Sequence, residues 1–313
     1  MIGAVDIGGT KIAVGMVSGS GKVLAKIESP TDTHLGYSNG LERIAEMLRE
    51  AAKEATVEIS GVGIGSTGPL DALTGEFGDV DFLAGWAGKN LVHDLERIFD
   101  VPVAIENDAD AAALGEATWG AGKKKSRLVY VTIGTGIGGG IVVNGQVYRG
   151  VDGSHPEIGH HVVDSSGPLC SCGFRGCWEA LAAGPAMVQW VHSQAPNNFP
   201  HRHGLTARRI CELAREGDAL AGLAVKREAY YLGLGIANLM NVLSPDAIVL
   251  GGSVMKSSSL FLDGIHDTIR QGCRFVPFTR MEVSLASLGE DANLIGAAMV
   301  WHHRFGDRIP HVS

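Results

Sequence analysis

The sequence predicts an α/β protein with two lobes that contain related sheets. Short apolar segments of strand character alternate with segments whose apolar residues recur at helical spacing. A strand, a glycine turn and a second strand also occur twice, because Val5 to Val17 aligns without gaps on Val131 to Val143 at a constant offset of 126 residues. A duplication of this kind predicts two sheets, each presenting a glycine turn to one shared cleft.

The predicted elements follow one another as short strands and amphipathic helices. Three strands in hairpin succession come first and a helix follows, at Ile2–Ile7, Ile12–Val17, Val23–Glu28 and 41–55. Buried strands then alternate with helices, at Val57–Gly65, Leu91–Phe99, Val101–Ile105 and Ala109–Ala117. Two strands come next, at Leu128–Ile133 and Gly140–Val143. Helices dominate from Thr206, with two more strands and a last helix at Ala247–Leu250, Met281–Leu285 and Ala292–His302.

Composition and charge exclude several classes of protein. The chain has 313 residues, of which 45% are hydrophobic and 19% charged, so a folded core is expected and disorder is not. A net charge of −8 disfavours nucleic acid and anionic membranes as partners. The N-terminus lacks a basic region followed by a long apolar stretch, and the most apolar run, 128–143, is broken by glycines. We therefore expect a cytoplasmic protein.

The first glycine turn combines the residue types that hold phosphate. The backbone N–H groups of Gly8 and Gly9 could converge on phosphate oxygens, with the Thr10 hydroxyl and the Lys11 charge beside them. Asp6, at the end of a buried strand, could hold Mg²⁺ through water. A plain hairpin turn with a capping aspartate explains the same residues, so both interpretations stay open here.

The second glycine turn does not belong to either standard nucleotide motif. Gly134, Thr135 and Gly136 begin a formal GxGxxG pattern, but a β-rich stretch follows where a dinucleotide-binding site needs a helix. The P-loop pattern GxxxxGK[ST] does not occur. Two glycine hairpins without either motif favour an actin-like type of phosphate clamp.

An acidic segment lies where a buried strand passes into an alanine-rich helix. Asn107 or Asp108 can cap this helix, and acidic residues there favour the helix dipole. Strand ends are also where α/β folds place their chemistry. A carboxylate held there could accept the proton of an alcohol as it attacks phosphorus, so this segment is a candidate source of a catalytic base.

A histidine and three cysteines form a candidate metal site. His160, Cys170, Cys172 and Cys177 are a preferred closed tetrahedral set for Zn²⁺, with no open position for catalysis. A disulfide is the alternative, but it leaves an odd cysteine and needs an oxidising compartment. We therefore predict a structural zinc.

Two further cysteines and one histidine motif lie outside this set of ligands. Cys211 and Cys273 lie in helical patterns and are expected in the core. The segment His155-Pro156-Glu157 raises a zinc deaminase as a rival, because deaminases combine H-x-E with P-C-x-x-C. The cysteines here are spaced C-x-C, and no proline directly precedes one, which argues against a deaminase.

Together these motifs resemble the ROK family of sugar kinases and sugar-responsive repressors. The resemblance runs nearly end to end and is carried by residues 6–11, 133–160 and 170–179. It implies an actin-like ATPase (ribonuclease H-like) fold of two lobes with a sugar between them. The small lobe would comprise residues 1–107, with the C-terminal helix 292–313 packing back on it. The large lobe, 108–291, would carry the zinc loop 160–177.

The resemblance also implies the roles of individual residues. Asp108 would be the catalytic base, and the hexose would be lined by Gly68, Asn107, Asp108, Glu157, His160 and Glu179. ATP, with Mg²⁺, would have its phosphates held by the turns at Gly8–Thr10 and Gly134–Gly136. Gly251 and Gly252 resemble the family's adenosine-side motif. His160 would then face both Zn²⁺ and sugar.

Several substrates and two other classes of function remain open. Glucose is the first choice, since Glu157, His160 and Glu179 recognise hydroxyls and no apolar N-acetyl pocket is evident. Kinases of N-acetylmannosamine and N-acetylglucosamine share these residues, and fructokinase-type members share His155-Pro156-Glu157. Repressors of the family carry a DNA-binding domain ahead of the first strand, so we expect no repressor here. The presence of Asp108 and both glycine turns argues against an inactive sugar-binding protein. The resemblance suggests a homodimer or homotetramer.

Overall fold

The computed structural model describes residues 1–79, 83–195 and 204–306, which form two compact units. The first unit contains Met1–Ser126, Gly140–Pro156 and the chain from Ala286 onward. The second unit contains Arg127–Gly139 and Glu157–Leu285. The structure thus groups residues 108–126 with the first unit, whereas the predicted boundary between the lobes lies at residue 107. That boundary stays a prediction.

A five-stranded sheet forms the centre of the first unit. Its strands are β1 (Ile2–Ile7), β2 (Lys11–Val17), β3 (Val23–Pro30), β4 (Gly61–Ser66) and β5 (Val103–Asn107). The order is β3-β2-β1-β4-β5. The first three strands are antiparallel, while β4 and β5 run parallel to β1. The carboxyl ends of β1, β4 and β5 therefore lie at one edge, where Asp6 and Asn107 are placed.

Helices cover both faces of this sheet. They are α1 (Gly36–Ala55), α2 (Leu91–Phe99), α3 (Asp108–Thr118) and, at the end of the chain, α9 (Ala292–Phe305). Alternate residues of a strand point to opposite faces. Accordingly Val5 and Ile7 pack in one buried cluster with residues of α1 and α2, whereas Ala4 packs in another with Ala297 and Trp301 of α9.

Helix α9 lies directly on the backbone of β4. A Cβ atom at Gly63 would collide with the carbonyl oxygen of Ala297, and one at Gly61 would collide with the indole of Trp301. The Trp301 indole N–H donates a hydrogen bond of 2.9 Å to the carbonyl oxygen of Pro102. The glycines of β4 thus allow the last helix to cover the sheet at close range.

The second sheet has the topology of the first. Its strands are β6 (Arg127–Ile133), β7 (Ile137–Val143), β8 (Gln146–Val147), β9 (Ala247–Gly251) and β10 (Glu282–Leu285), in the order β10-β9-β6-β7-β8. The central strand is β1 in the first sheet and β6 in the second. In each sheet a hairpin lies on one side of the central strand, and two strands parallel to it lie on the other. The bounds of β7 are those of β2 shifted by 126 residues. The predicted repeat of related sheets is confirmed.

The second unit is otherwise helical. Its helices are α4 (Trp178–Ala182), α5 (Gly184–Gln194), α6 (Ala207–Arg215), α7 (Ala219–Leu243) and α8 (Leu262–Gly272). The long helix α7 packs against the other four. Cys211 on α6 and Cys273 just after α8 are buried, as predicted. Across the described ranges, none of the helices combines the length and apolar character that crossing a bilayer requires.

Three predicted strands begin two or more residues away from the observed first residue. The predicted strand Val57–Gly65 begins only at Gly61, because the Val57 N–H instead caps α1 through the carbonyl oxygen of Ala52. The strand predicted at Val101–Ile105 begins at Val103 and continues to Asn107, since Pro102 has no N–H to donate. The strand predicted at Gly140–Val143 begins at Ile137; its three glycines have low strand propensity, so the local sequence did not indicate the earlier start.

A buried glutamate on α7 makes the stability of the protein dependent on pH. The Glu228 side chain is fully buried, and neither carboxylate oxygen has a hydrogen-bond partner among the described residues. Burial raises the pKa of Glu228 to about 8. Since the folded state then holds this proton more tightly than the unfolded state, folding stability falls as pH rises from the unfolded pKa toward 8.

Replacing Glu228 by glutamine is expected to remove this pH dependence. At pH 8 the Glu228→Gln protein should be more stable than the wild type by about 2–5 kcal/mol, and the two should converge near pH 5. Denaturant unfolding between pH 5 and 8 measures the difference. The exposed Glu46→Gln is the matched control and should follow the wild type. Parallel profiles for wild type and Glu228→Gln would contradict the assignment.

Candidate functional site

The junction between β5 and α3 holds the predicted base in a fixed position. Asn107 is the N-cap of α3, and its side-chain oxygen accepts a 2.9 Å hydrogen bond from the Ala109 N–H. One carboxylate oxygen of Asp108 accepts from the same N–H at 2.8 Å. An acidic side chain at this point is stabilised by the helix dipole. The sequence therefore orients Asp108 through the backbone of its own helix.

Burial governs the protonation of Asp108 and of Asp6. Burial raises the pKa of Asp108 above its usual range, while the Ala109 N–H and His155 lower it and Asp110 raises it. Burial also raises the pKa of Asp6 to about 6; a hydrogen bond from Asn293 opposes this effect, and the charge of Asp108 adds to it. The two carboxylates therefore interact, and each favours the protonated form of the other.

One glycine within β4 and one just after it leave room around this junction. A Cβ at Gly65 would lie 3.2 Å from the Cβ of Ala111, so β4 and the first turn of α3 approach closely. A Cβ at Gly68 would lie 3.6 Å from the side-chain nitrogen of Asn107. Asp6 is held from another direction, by a 3.0 Å hydrogen bond from the Asn293 amide of α9. The first unit thus brings together four predicted residues, Asp6, Gly68, Asn107 and Asp108.

Two ion pairs lie on either side of Asp108. Glu106 pairs with Arg149, and both side chains are largely buried. Asp110, whose side chain is 1% exposed, has Oδ2 at 2.7 Å from Nδ1 of His155. Arg149 and His155 both follow the β7–β8 hairpin, in the part of the chain that returns to the first unit. Each of the two acidic residues that flank the predicted base therefore contacts a basic side chain from one short segment.

The first glycine turn connects β1 and β2 through backbone hydrogen bonds. The Gly8 N–H donates to the Lys11 carbonyl at 2.9 Å, and the Thr31 hydroxyl donates to the Gly8 carbonyl at 2.6 Å. The ammonium nitrogen of Lys11 lies 2.9 Å from Glu28 on the neighbouring strand, and its predicted role beside phosphate stays a prediction. Both side chains are partly exposed, so the pair contributes little to stability.

The second glycine turn is tied to the start of two helices. The Gly184 N–H, at the start of α5, donates to the Gly134 carbonyl at 2.8 Å. Glu179, in the first turn of α4, accepts a 2.9 Å hydrogen bond from the Ile137 N–H. A Cβ at Gly136 would collide with this carboxylate. The glycine therefore leaves room for the Glu179 carboxylate directly against the turn.

A cavity of about 540 Å³ in the second unit opens beside this turn. It is lined by Gly134 and Thr135, by the start of α5, by residues 205–208 and by Ser253 and Val254. Ser253 follows Gly252, which has φ +90° and whose Cβ would collide with the backbone of Ile133. The volume falls in the range of small-molecule sites, and the lining is mainly apolar with a few polar groups at one side.

The four predicted metal ligands form one cluster in the second unit. One ligand atom from each of His160, Cys170, Cys172 and Cys177 lies within 4.8 Å of all the others. Nδ1 of His160 is 3.4 Å from Sγ of Cys170, and the sulfur atoms of Cys172 and Cys177 are 3.4 Å apart. Zn–S distances of about 2.3 Å and Zn–N distances of about 2.0 Å in a tetrahedron give separations of this size. The cluster fits Zn²⁺.

Backbone hydrogen bonds close the loop that carries the cluster. The Cys170 N–H donates to the Phe174 carbonyl at 2.8 Å, and the Val163 N–H donates to the Gly176 carbonyl at 2.9 Å. Gly176 has φ +74°, and a Cβ there would collide with the carbonyl oxygen of Asp164. This folding of the loop brings Cys177 back toward His160.

The predicted site residues are divided between the two units. The first unit holds Asp6, the first glycine turn, Gly68, Asn107 and Asp108. The second unit holds the second turn, Glu157, His160, Glu179, Gly251, Gly252 and the cysteine cluster. Glu157 is exposed and precedes the turn that carries His160. Sequence reasoning missed Asn293, Arg149 and Asp110, because their partners lie far away in the chain and no local pattern indicates them.

Comparisons with known proteins agree with the fold and the motifs. The ROK family pattern matches residues 2–304. A glucokinase of Thermotoga maritima is 32% identical over 312 residues, covering 96% of this chain and 97% of that protein. A xylose repressor of Bacillus subtilis is 33% identical over 226 residues, covering 72% of this chain and 57% of that protein.

Two solved structures extend these similarities to the fold. A ROK hexokinase from Thermus thermophilus has a TM-score of 0.86 at 33% identity, covering 98% of this chain and 99% of its own. A ROK family glucokinase from Streptomyces griseus, in complex with glucose and AMPPNP, has a TM-score of 0.81 at 33% identity, covering 95% and 97%. The predicted actin-like α/β fold is confirmed. With its two related sheets, its glycine turns and its cysteine loop, the chain belongs to the ROK family.

Proposed function

We propose that this chain is an ATP-dependent hexose kinase that transfers the γ-phosphoryl group to the 6-hydroxyl of glucose. One observation carries the proposal: a buried carboxylate, Asp108, is fixed at the junction of β5 and α3 in a chain that resembles glucokinases over its whole length. Such a group is suited to accept the proton of a hydroxyl as that oxygen attacks phosphorus.

The first unit supplies the base and its surroundings. Asp108 accepts the proton, and Asn107 and Gly68 contact the sugar beside it. The backbone N–H groups of Gly8–Thr10 contribute to phosphate binding. Asp6 would hold Mg²⁺ through water, because two nearby carboxylates of raised pKa are stabilised in their ionised form by a divalent cation. Bound Mg²⁺ supplies charge neutralisation at the phosphates.

The second unit supplies the nucleotide site and further sugar contacts. The cavity beside Gly134 and Thr135 is of suitable size for an adenosine group, and Gly251 and Gly252 lead into its wall through Ser253. Gly136 belongs to the same phosphate-binding turn. Glu157, His160 and Glu179 are assigned to the sugar hydroxyls, and of these Glu179 is already oriented by the Ile137 N–H.

The cysteine cluster is proposed to hold a structural Zn²⁺. His160 would bind the ion through Nδ1, the atom that lies against Cys170, which leaves Nε2 for a sugar hydroxyl. With four protein ligands, no coordination position is left for substrate. The zinc would therefore act by fixing the orientation of His160.

A panel of sugars tests the proposed function. We expect ATP-dependent phosphorylation of glucose with kcat/KM at least about tenfold above that for mannose, fructose, N-acetylglucosamine and N-acetylmannosamine, since one lost hydroxyl contact costs about this much or more. Initial rates in a coupled assay, with the phosphorylated position read by NMR, measure this. A preference for an N-acetyl sugar or for fructose would replace glucose by the corresponding alternative. Sugar binding without ATP turnover would favour the repressor or an inactive binding protein.

The assembly of the protein is also part of the proposal. Because the chain resembles the family, we propose that it forms a homodimer or a homotetramer. Light scattering of the purified chain measures the mass of the particle, for which one chain contributes 32.8 kDa. A particle of that mass at micromolar concentration would contradict the assignment.

A further inference from the structure

We propose that the segment Arg149–His155, called the brace below, positions Asp108 through the two ion pairs that flank it. Glu106 precedes Asp108 by two residues and pairs with Arg149, while Asp110 follows it by two and pairs with His155. The inference rests on the proposed function, since it assigns Asp108 as the base. Arg149 and His155 would act through Asp108 and are therefore positioning residues.

The Glu106–Arg149 pair acts on the peptide that leads to the base. The Glu106 side chain is 5% exposed and that of Arg149 is 19% exposed. Oε1 of Glu106 also accepts a hydrogen bond from the Asn107 N–H at 3.3 Å. Arg149 faces a second cation, Arg304, so without Glu106 it would be a largely buried and uncompensated charge. The pair therefore restrains the end of β5 at the residue before Asn107.

The Asp110–His155 pair acts on the first turn of α3. A carboxylate that is 1% exposed is stable as an ion only beside a cation or hydrogen-bond donors, and Nδ1 of His155 at 2.7 Å meets this need. Gly140 leaves the space, because a Cβ there would lie 2.8 Å from Oδ1 of Asp110. The pair therefore restrains the helix one half-turn beyond Asp108.

The brace is a compact turn, so its two ends are held together. The Gly150 N–H donates to the Ser154 carbonyl at 2.9 Å, and the Ser154 N–H donates to the Val151 carbonyl at 3.0 Å. Loss of either ion pair would thus loosen the other. Charged groups around Asp108 and the brace come from all the packed elements: Asp6 on β1, Glu106 on β5, Asp110 on α3, and His303 and Arg304 on α9.

Matched substitutions at both ends of the brace test the proposal. We expect His155→Ala and Arg149→Met each to lower kcat for glucose about 10–100-fold with KM for glucose and ATP changed less than about threefold, because the base is misplaced while the ligands still bind. His155→Gln, which can still donate a hydrogen bond to Asp110, should recover most of kcat. On acidification, kcat/KM of His155→Gln should fall at a higher pH than that of the wild type. The reason is that the variant lacks the positive charge that lowers the pKa of Asp108.

Two controls come from exposed residues of α2 in the same unit. His93→Gln and Arg97→Lys should leave kcat, KM and the pH profile unchanged. Circular dichroism melts identify any variant that does not fold. In that case kcat and KM of His155→Gln and Arg149→Lys decide the result. Wild-type kcat in His155→Ala, or a loss confined to KM for glucose, would overturn the proposal.

A second readout separates this proposal from the proposed function. If the wild type phosphorylates none of the sugars, the proposed function fails, and ¹³C NMR titration of the aspartate carboxylates still tests the brace. The Asp108 carboxylate, assigned by its absence in Asp108→Asn, should titrate at higher pH in His155→Gln than in the wild type. An unchanged titration of Asp108 in His155→Gln would overturn the proposal that the brace acts on Asp108.

Discussion

Replacing Asp108 by asparagine is expected to lower kcat for glucose by about 10²–10⁴-fold, the range for loss of a general base. The asparagine side chain has nearly the same shape and can still accept the hydrogen bond from the Ala109 N–H that orients this position. KM for glucose should therefore change little. Initial-rate kinetics measure both constants, and a variant with wild-type kcat would show that another group takes the proton.

The pH dependence of the same variant gives an independent check. Asp6 and Asp108 raise each other's pKa, so kcat/KM of the wild type should fall as pH drops through about 6, where the pair gains a proton. In Asp108→Asn the neutral amide no longer raises the pKa of Asp6. The residual activity should therefore lose its acid limb or show it at lower pH. A limb that moves to higher pH would contradict the coupling of the two carboxylates.

Removing one zinc ligand is expected to lower kcat/KM for glucose about 10–100-fold, a loss typical of disturbed groups around a metal site. Cys172→Ser is the test, because Cys172 is exposed and its thiol contributes little to the core. The wild type should contain one Zn²⁺ per chain and this variant almost none. The loss should appear mainly in KM, since His160 would lose its fixed orientation while Asp108 is unaffected.

The control for this experiment is a cysteine outside the cluster. Cys211→Ala removes a buried thiol of α6 and should retain its zinc and its KM for glucose. Metal content by mass spectrometry and kinetics on the same samples give both quantities. A metal-free Cys172→Ser protein with wild-type KM would show that the cluster does not shape the sugar site.

Local signals explain which elements could be predicted to the residue. Helix α2 has the predicted bounds because Asn90 caps its start, and Asp100, at φ 53°, ends it in the left-handed region. Strand β1 also has its predicted bounds, since an apolar run ends at Asp6 and Ile7 before two glycines. The cluster of His160, Cys170, Cys172 and Cys177 could be predicted because these residues lie within eighteen positions of one another and their types are those that Zn²⁺ prefers.

Contacts between distant parts of the chain could not be predicted in this way. Asn293 reaches Asp6 across 287 residues, and no spacing within either segment indicates it. The antiparallel pairing of β2 and β3 places Lys11 beside Glu28, a contact that the sequence around the first glycine turn does not indicate. Such partners depend on sheet register and helix packing, which arise only once the whole unit is folded. The roles of the individual sugar and nucleotide residues stay predictions.

The position of α9 on β4 has a consequence for how the chain folds during translation. The ribosome releases β1 to β5 long before residues 292–305, at about 5–20 residues per second. Until then the part of the sheet face that carries Ala4, Gly61 and Gly63 lacks the helix that covers it, and Asp6 lacks Asn293. A nascent chain therefore keeps this apolar surface exposed until residues 292–305 have emerged, and the side chain of Asp6 gains its hydrogen bond from Asn293 only then.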